Sequence, residues 1–228
     1  MRIATFVSLL LLLAATPAFS QQHDAVASTK EVSPALQQLE MASKLVRYGR
    51  DTKSALPLIQ AVQIYRDMNI VDEANAKGSS NPYAEATLLA DAEKFADGNK
   101  TLLNLIKETK MTTRAGFGEP NRYFRVIEAG ETIQQSLYAA GPHYLQVVVD
   151  GQGEGVFSED SKGNKISSDL RLMVLDDAGR VIASDQSRGV NCAVAFMSRT
   201  SNMTIVVRNV GQMADNCIIY VYRTKLNP

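Results

Sequence analysis

The sequence predicts an α+β protein in two parts, helical hairpins or a small helical bundle followed by an antiparallel β-sandwich or jelly roll, and three observations carry this. Between residues 33 and 110 apolar residues return every three or four positions, which is the period of a helix face. Beyond residue 120 the period drops to two, in short β-branched runs separated by glycine, aspartate and asparagine. Between them, Thr112-Thr113 and Gly116-Phe117-Gly118-Glu119-Pro120 read as a boundary. The expected organisation is a leader at 1–20, a tail at 21–32, a helical domain at 33–110, a linker at 111–120 and a sandwich at 121–225.

The leader has one cation, Arg2, an apolar run from Phe6 to Ala15, then Pro17 and the small-residue pattern Ala18-Phe19-Ser20. This is the layout of a secretory signal cleaved before Gln21. The run is shorter than the roughly 20 apolar residues that cross a bilayer. Downstream of it the sequence offers no span, so a periplasmic or secreted location is expected, with residues 21–32 left as a polar tail.

Ser33-Pro34 opens the first helix, with serine as cap and proline at the first helical position. Leu36, Leu39, Leu45 and Val46 share a face, and Gly49 is expected to end it. A second helix is predicted over about Ser54 to Met68, with Pro57 in its first turn. After the polar stretch from Asp72 to Ser80, Asn81-Pro82 introduces a third helix that stops near Gly98, and Asn99 caps a fourth. Eight strands are predicted: Tyr123–Ile127, Thr132–Tyr138, Tyr144–Val149, Leu170–Leu175, Val181–Ser184, Cys192–Met197, Met203–Arg208 and Cys217–Tyr222. Cys192 and Cys217 lie close in sequence in a chain bound for an oxidising compartment, so a disulfide between them is expected. By loop closure it would stabilise the fold by roughly 3 kcal/mol.

The segment Asp169-Leu-Arg-Leu-Met-Val-Leu-Asp-Asp-Ala-Gly-Arg-Val-Ile-Ala-Ser-Asp185 is a hairpin that turns at Asp177-Ala178-Gly179. With Phe124-Arg-Val-Ile-Glu-Ala-Gly130 upstream and Met203-Thr-Ile-Val-Val-Arg-Asn209 downstream, it resembles the bacterial pre-peptidase C-terminal domain over residues 121–223. The resemblance implies a β-sandwich of the kind appended to secreted enzymes, some relatives of which bind collagen or polysaccharide. Relatives often carry an acidic residue two positions after the one matching Asp169, where this chain has Arg171, which weakens any calcium site that the resemblance implies. Upstream, Ala42, Tyr48-Gly49, Ala55 and Ala61 to Tyr65 resemble one tetratricopeptide-type hairpin; a solenoid needs about three repeats, so a small bundle is the reading taken.

Lys+Arg and Asp+Glu balance at 24 each, which gives no basic footprint for nucleic acid. Only His23 and His143 are available for metal or triad chemistry, and no Gly-x-Ser-x-Gly elbow is present. The acidic stretch from Asp150 to Asp169 supplies the calcium candidates Glu159, Asp160 and Asp169, but its spacing matches no EF-hand loop, so a solvated loop and no cofactor are expected. Gly151-x-Gly153-x-Gly155 lacks the dinucleotide pattern and reads as a flexible loop. Tyr220 and Tyr222 share one strand face and are the binding candidates. The function expected is a non-enzymatic envelope binding or adaptor protein for a protein or peptide partner, its helices offering a groove. A polysaccharide-binding module and a hydrolase using acidic residues such as Asp176, Asp177 and Asp185 are the alternatives.

Overall fold

A computed structural model describes residues 33–73, 81–111, 120–140, 142–153, 158–159 and 161–225. Among these described residues four helices come first: α1 (Pro34–Asp51), α2 (Ala55–Asp67), α3 (Glu85–Phe95) and α4 (Lys100–Met111). Ser33 caps α1 through its hydroxyl, which accepts from the Leu36 amide at 3.4 Å, and Asn99 caps α4 by accepting from the Thr101 and Leu102 amides at 3.0 and 3.2 Å. Gly49 does not end α1, which runs on to Asp51. Its missing side chain lets α2 approach: a Cβ there would lie 2.8 Å from Leu58 Cδ2.

Eleven strands follow or interleave among the described residues: β1 (Val71–Asp72), β2 (Asn121–Ile127), β3 (Thr132–Tyr138), β4 (His143–Gly151), β5 (Ser158–Glu159), β6 (Lys165–Ile166), β7 (Leu170–Asp176), β8 (Val181–Asp185), β9 (Asn191–Ser198), β10 (Asn202–Asn209) and β11 (Asp215–Lys225). All eight strands read from the sequence are among them; the two-residue strands β1, β5 and β6 were not foreseen. One sheet has the order β1-β2-β11-β4-β9, a second β3-β10-β7-β8, and β5 pairs with β6. The two larger sheets form a β-sandwich, antiparallel except where β1, from the α2–α3 connection, pairs parallel with β2.

Alternation sorts the side chains. On β4, Leu145, Val147 and Val149 enter the core between the sheets with Leu170, Leu172 and Val174 of β7 and Met203, Ile205 and Val207 of β10. The opposite face of the five-stranded sheet, carrying Phe124, Val148, Ile218 and Tyr220, packs against Leu36, Leu39, Val46 and Leu58 of the helices. Three layers result: helices, five-stranded sheet, four-stranded sheet. Residues 145–151 of β4 are therefore buried on both faces, whereas β7 alternates buried and half-buried. The linker expected at 111–120 lies, apart from Met111 and Pro120, outside the described residues.

The expected disulfide is not formed. Cys192 faces Val149 across one edge of β4, and Cys217 faces Gly151 across the other. A whole strand separates them, about 9–10 Å at normal strand spacing, and a bridge needs Cα atoms within about 7 Å. Proximity in sequence misled because the chain leaves β9, crosses the other sheet as β10 and returns on the far side of β4. Both thiols are buried; that of Cys192 donates to the Leu170 carbonyl at 3.2 Å, and burial pushes that of Cys217 well up.

The β10–β11 turn is docked on residues 167–169. Fully buried Asn209 donates to the carbonyls of Ile127 and Met213 and accepts from the Asp169 and Gly211 amides. A Cβ on Gly211 would fall 2.5 Å from Asp169 N and Ser167 O, both backbone atoms. Gly211→Ala is therefore expected to lower unfolding free energy by about 2 kcal/mol, the scale of overpacking, in urea denaturation.

Candidate functional site

The tyrosines proposed for binding are not exposed. Alternation does place Tyr220 and Tyr222 together, opposite Ile219 and Val221, but that face is the one the helices cover. Tyr220 is 1% exposed, its hydroxyl 2.8 Å from Ser43 Oγ and 3.4 Å from Tyr65 Oη, and burial raises its pKa well above the ordinary value. Tyr222 is half-buried against the same core. The apolar stripes of the helices, expected to offer a groove, are committed to the sheet.

Beside Tyr220 lies Arg122, 2% exposed. Its Nε and Nη2 donate to Asp72 at 2.6 and 3.0 Å, Nη2 also donates to the Tyr83 carbonyl at 2.8 Å, and the guanidinium lies 4.3 Å from the Tyr65 ring centroid. Burial alone would lower its pKa; the Asp72 bond and the nearby tyrosines outweigh that and raise it. This cluster joins α2, β1 and β2. The alternation of β2 places this arginine, with Phe124, on the face that the helices cover.

Of the calcium candidates, Glu159 is exposed on β5, Asp160 lies outside the described residues, and Asp169 is held by Arg171, with Nη1 2.9 Å from Oδ1 and Nη2 3.0 Å from Oδ2, while its Oδ1 also accepts from the Gly189 amide. Among the described residues no group of three Asp, Glu, His or Cys side chains is placed to hold a metal ion. Asp176 accepts from the Ala178 and Arg180 amides, and Asp185 from the Ser187 and Ala193 amides, so these carboxylates fix local turns. Gly151 and Gly153 pack tightly: a Cβ on Gly151 would meet Asp215 Oδ2 at 2.7 Å. Buried Asp215 in turn accepts from the Gln152 and Gly153 amides and from Ser168 Oγ.

Among the described residues no helix packs on the outer face of the four-stranded sheet. There β3 presents Gln134, Ser136 and Tyr138, and β10 sets Asn202 opposite Tyr138 and Thr204 opposite Ser136. With Asp177 from the β7–β8 turn these line a groove of about 530 Å³, within the range of small-molecule sites. Tyr138 is 61% exposed. The Gln134, Ser136, Asn202 and Thr204 side chains have no hydrogen-bond partner among the described residues. An aromatic face beside uncommitted amides and hydroxyls offers stacking and directional hydrogen bonds together. The signal was legible in Thr132-Ile-Gln-Gln-Ser-Leu-Tyr138, whose alternate residues are polar until the tyrosine.

No protein-family model matches the chain, and no curated protein matches it. Among solved structures it is similar to the pre-peptidase C-terminal domain of a Bacillus anthracis collagenase, with TM-score 0.34 and 10% identity over 44% of this chain and 86% of that one. It is also similar to the Yersinia pseudotuberculosis-derived mitogen, with TM-score 0.35 and 11% identity over 49% and 92%. A third is the carbohydrate binding module of Cellvibrio mixtus lichenase 5A, in complex with cellotriose, with TM-score 0.25 and 11% identity over 43% and 75%. Likeness at this level assigns neither a family nor a ligand.

Proposed function

We propose that the protein is an exported, non-catalytic binding module that takes a cell-envelope or extracellular glycan in the groove on its four-stranded sheet. Export rests on the leader at residues 1–20, and the resemblance of 121–223 to pre-peptidase C-terminal domains is in keeping with it. The observation that carries the reading is Tyr138, a large aromatic left 61% exposed beside the Gln134, Ser136, Asn202 and Thr204 side chains. A pyranose presents an apolar CH face and a rim of hydroxyls. The first stacks on Tyr138, and the second bonds Gln134, Asn202 and Thr204.

Glycan arrays and affinity electrophoresis with the mature chain test this. Tyr138→Ala is expected to weaken binding about tenfold, the scale of one aromatic contact, with an unchanged circular dichroism spectrum. Equal binding by the variant and its parent to every retained glycan would remove the groove from the reading. A protein or peptide partner is the second reading, and it has one observation in its favour. Met41 and Tyr48, seven residues apart and so on one side of α1, are 58% and 59% exposed. Retention of a defined envelope protein by Tyr138→Ala, lost on Met41→Ser with Tyr48→Ser, would favour it.

A further inference from the structure

A second pocket lies on the helix side of the five-stranded sheet, remote from the groove. It is lined by Glu40 of α1, Val148 and Asp150 of β4, Asp185 at the end of β8, and Asn191 to Ala193 of β9. Its volume is about 280 Å³, just under the roughly 300–1,000 Å³ of sites that hold whole small molecules and enough for one extended side chain. Three carboxylates border it, which alone would signify only a solvated acidic surface.

Asp150 makes the difference. It is 1% exposed, and neither carboxyl oxygen has a hydrogen-bond partner among the described residues. Ser43 and Gln152 lie close enough to favour its charged form. However, Ser43 Oγ is engaged with Tyr220 Oη and the Leu39 carbonyl, and Gln152 Nε2 with the Asp150 carbonyl. Arg47 contributes charge from α1, while its Nη1 donates to the Gly151 carbonyl at 3.2 Å. Buried carboxylates are ordinarily bonded, so one with both oxygens open beside a pocket indicates a donor that arrives from outside.

We infer that this pocket receives an alkylammonium or guanidinium head on a methylene stem, the chemistry of a lysine or arginine side chain of a polypeptide ligand. Val148 and Ala193 supply apolar walls for the stem, and Asp150 accepts from the cationic head. Glu40 is the movable wall: it is held by a surface pair with Lys44 one turn on, at 2.7 Å, a contact worth only a few tenths of a kcal/mol. A metal ion does not suit the site: although three carboxylates border the pocket, no three Asp, Glu, His or Cys side chains among the described residues are placed to hold one together. This inference does not depend on the glycan reading, since the two pockets share no lining residue.

The test is an NMR titration of the full mature chain, following the amides of Asn191 and Ala193. The probes are a capped peptide with one central lysine, its arginine and norleucine counterparts, and free putrescine. Lysine and arginine peptides are expected to shift these amides with Kd near about 1 mM, and Asp150→Asn to weaken them about tenfold or more. The norleucine peptide should leave them unmoved. Putrescine binding as tightly as the peptides would identify a free amine, not a polypeptide, as the source of the cation. Equal shifts from norleucine, equal affinity in Asp150→Asn, or no shift at about 10 mM probe would each overturn the inference. Tyr138→Ala should bind the peptides unchanged.

Discussion

Replacing Arg122 with alanine is expected to lower unfolding free energy by about 3 kcal/mol, at the lower end of what breaking a buried ion pair does. The low end applies because Asp72 is a third exposed and water can take over its carboxylate. What water cannot replace is the guanidinium between the Tyr65 ring and the Tyr83 carbonyl. Arg122→Lys keeps the charge but loses the two-pronged bond to Asp72, and should recover less than half of the deficit. Arg122→Met restores volume without charge. If packing dominates, methionine outperforms lysine; if the bonds dominate, the order reverses. Urea denaturation of the three variants decides. A loss below about 0.5 kcal/mol for alanine, the range of ordinary surface substitutions, would show that the cluster does not hold the helices to the sheet.

Asp150→Asn should act in the opposite sense and depend on pH. Burial first of all, and then Glu40, push the Asp150 carboxyl up to about 6, against the pull of Arg47. Its neighbours from the packed elements are Glu40 and Arg47 on α1, Tyr83 before α3, Tyr220 on β11 and Asp185 on β8. Unfolded, the carboxyl has its ordinary value of 3.8. Below that pH it is protonated in both states and folding is not penalised. Between 3.8 and about 6 only the unfolded chain releases the proton, so stability falls as pH rises, and above about 6 the full penalty of about 3 kcal/mol applies. Asparagine removes the charge, so the variant should be about 1–3 kcal/mol more stable than its parent near pH 7.5 and equal to it near pH 3.5. Asp215, also raised by burial, keeps some of the slope in the variant. Denaturation midpoints across this range measure it, and a variant less stable at every pH would contradict the argument. A gain in stability combined with a loss of cationic-ligand binding is the signature of a residue kept for binding.

How much was legible depended on which contacts were local. Cap geometry at Ser33 and Asn99 and the period-two runs of β3, β7 and β10 are decided within a few residues, and the sequence carried them. Gly49 was misread because a glycine that ends a helix and one that admits a neighbouring helix look the same until the neighbour is known. The burial of Tyr220 and Arg122 and the strand between Cys192 and Cys217 depend on pairings far apart in sequence. One clue was available: Val147-Val148-Val149 is apolar at every position, as a strand covered on both faces must be. The groove around Tyr138 was readable as alternation but not as a site, because its second wall is β10, more than 60 residues on.

The place of β11 in the five-stranded sheet has a further implication. This strand lies between β2 and β4, pairing with both, and contributes Ile218 and Tyr220 to one core and Ile219 and Val221 to the other. Neither apolar layer can close before β11 is in place. The two layers are thus expected to open together, since loss of this one strand uncovers both at once.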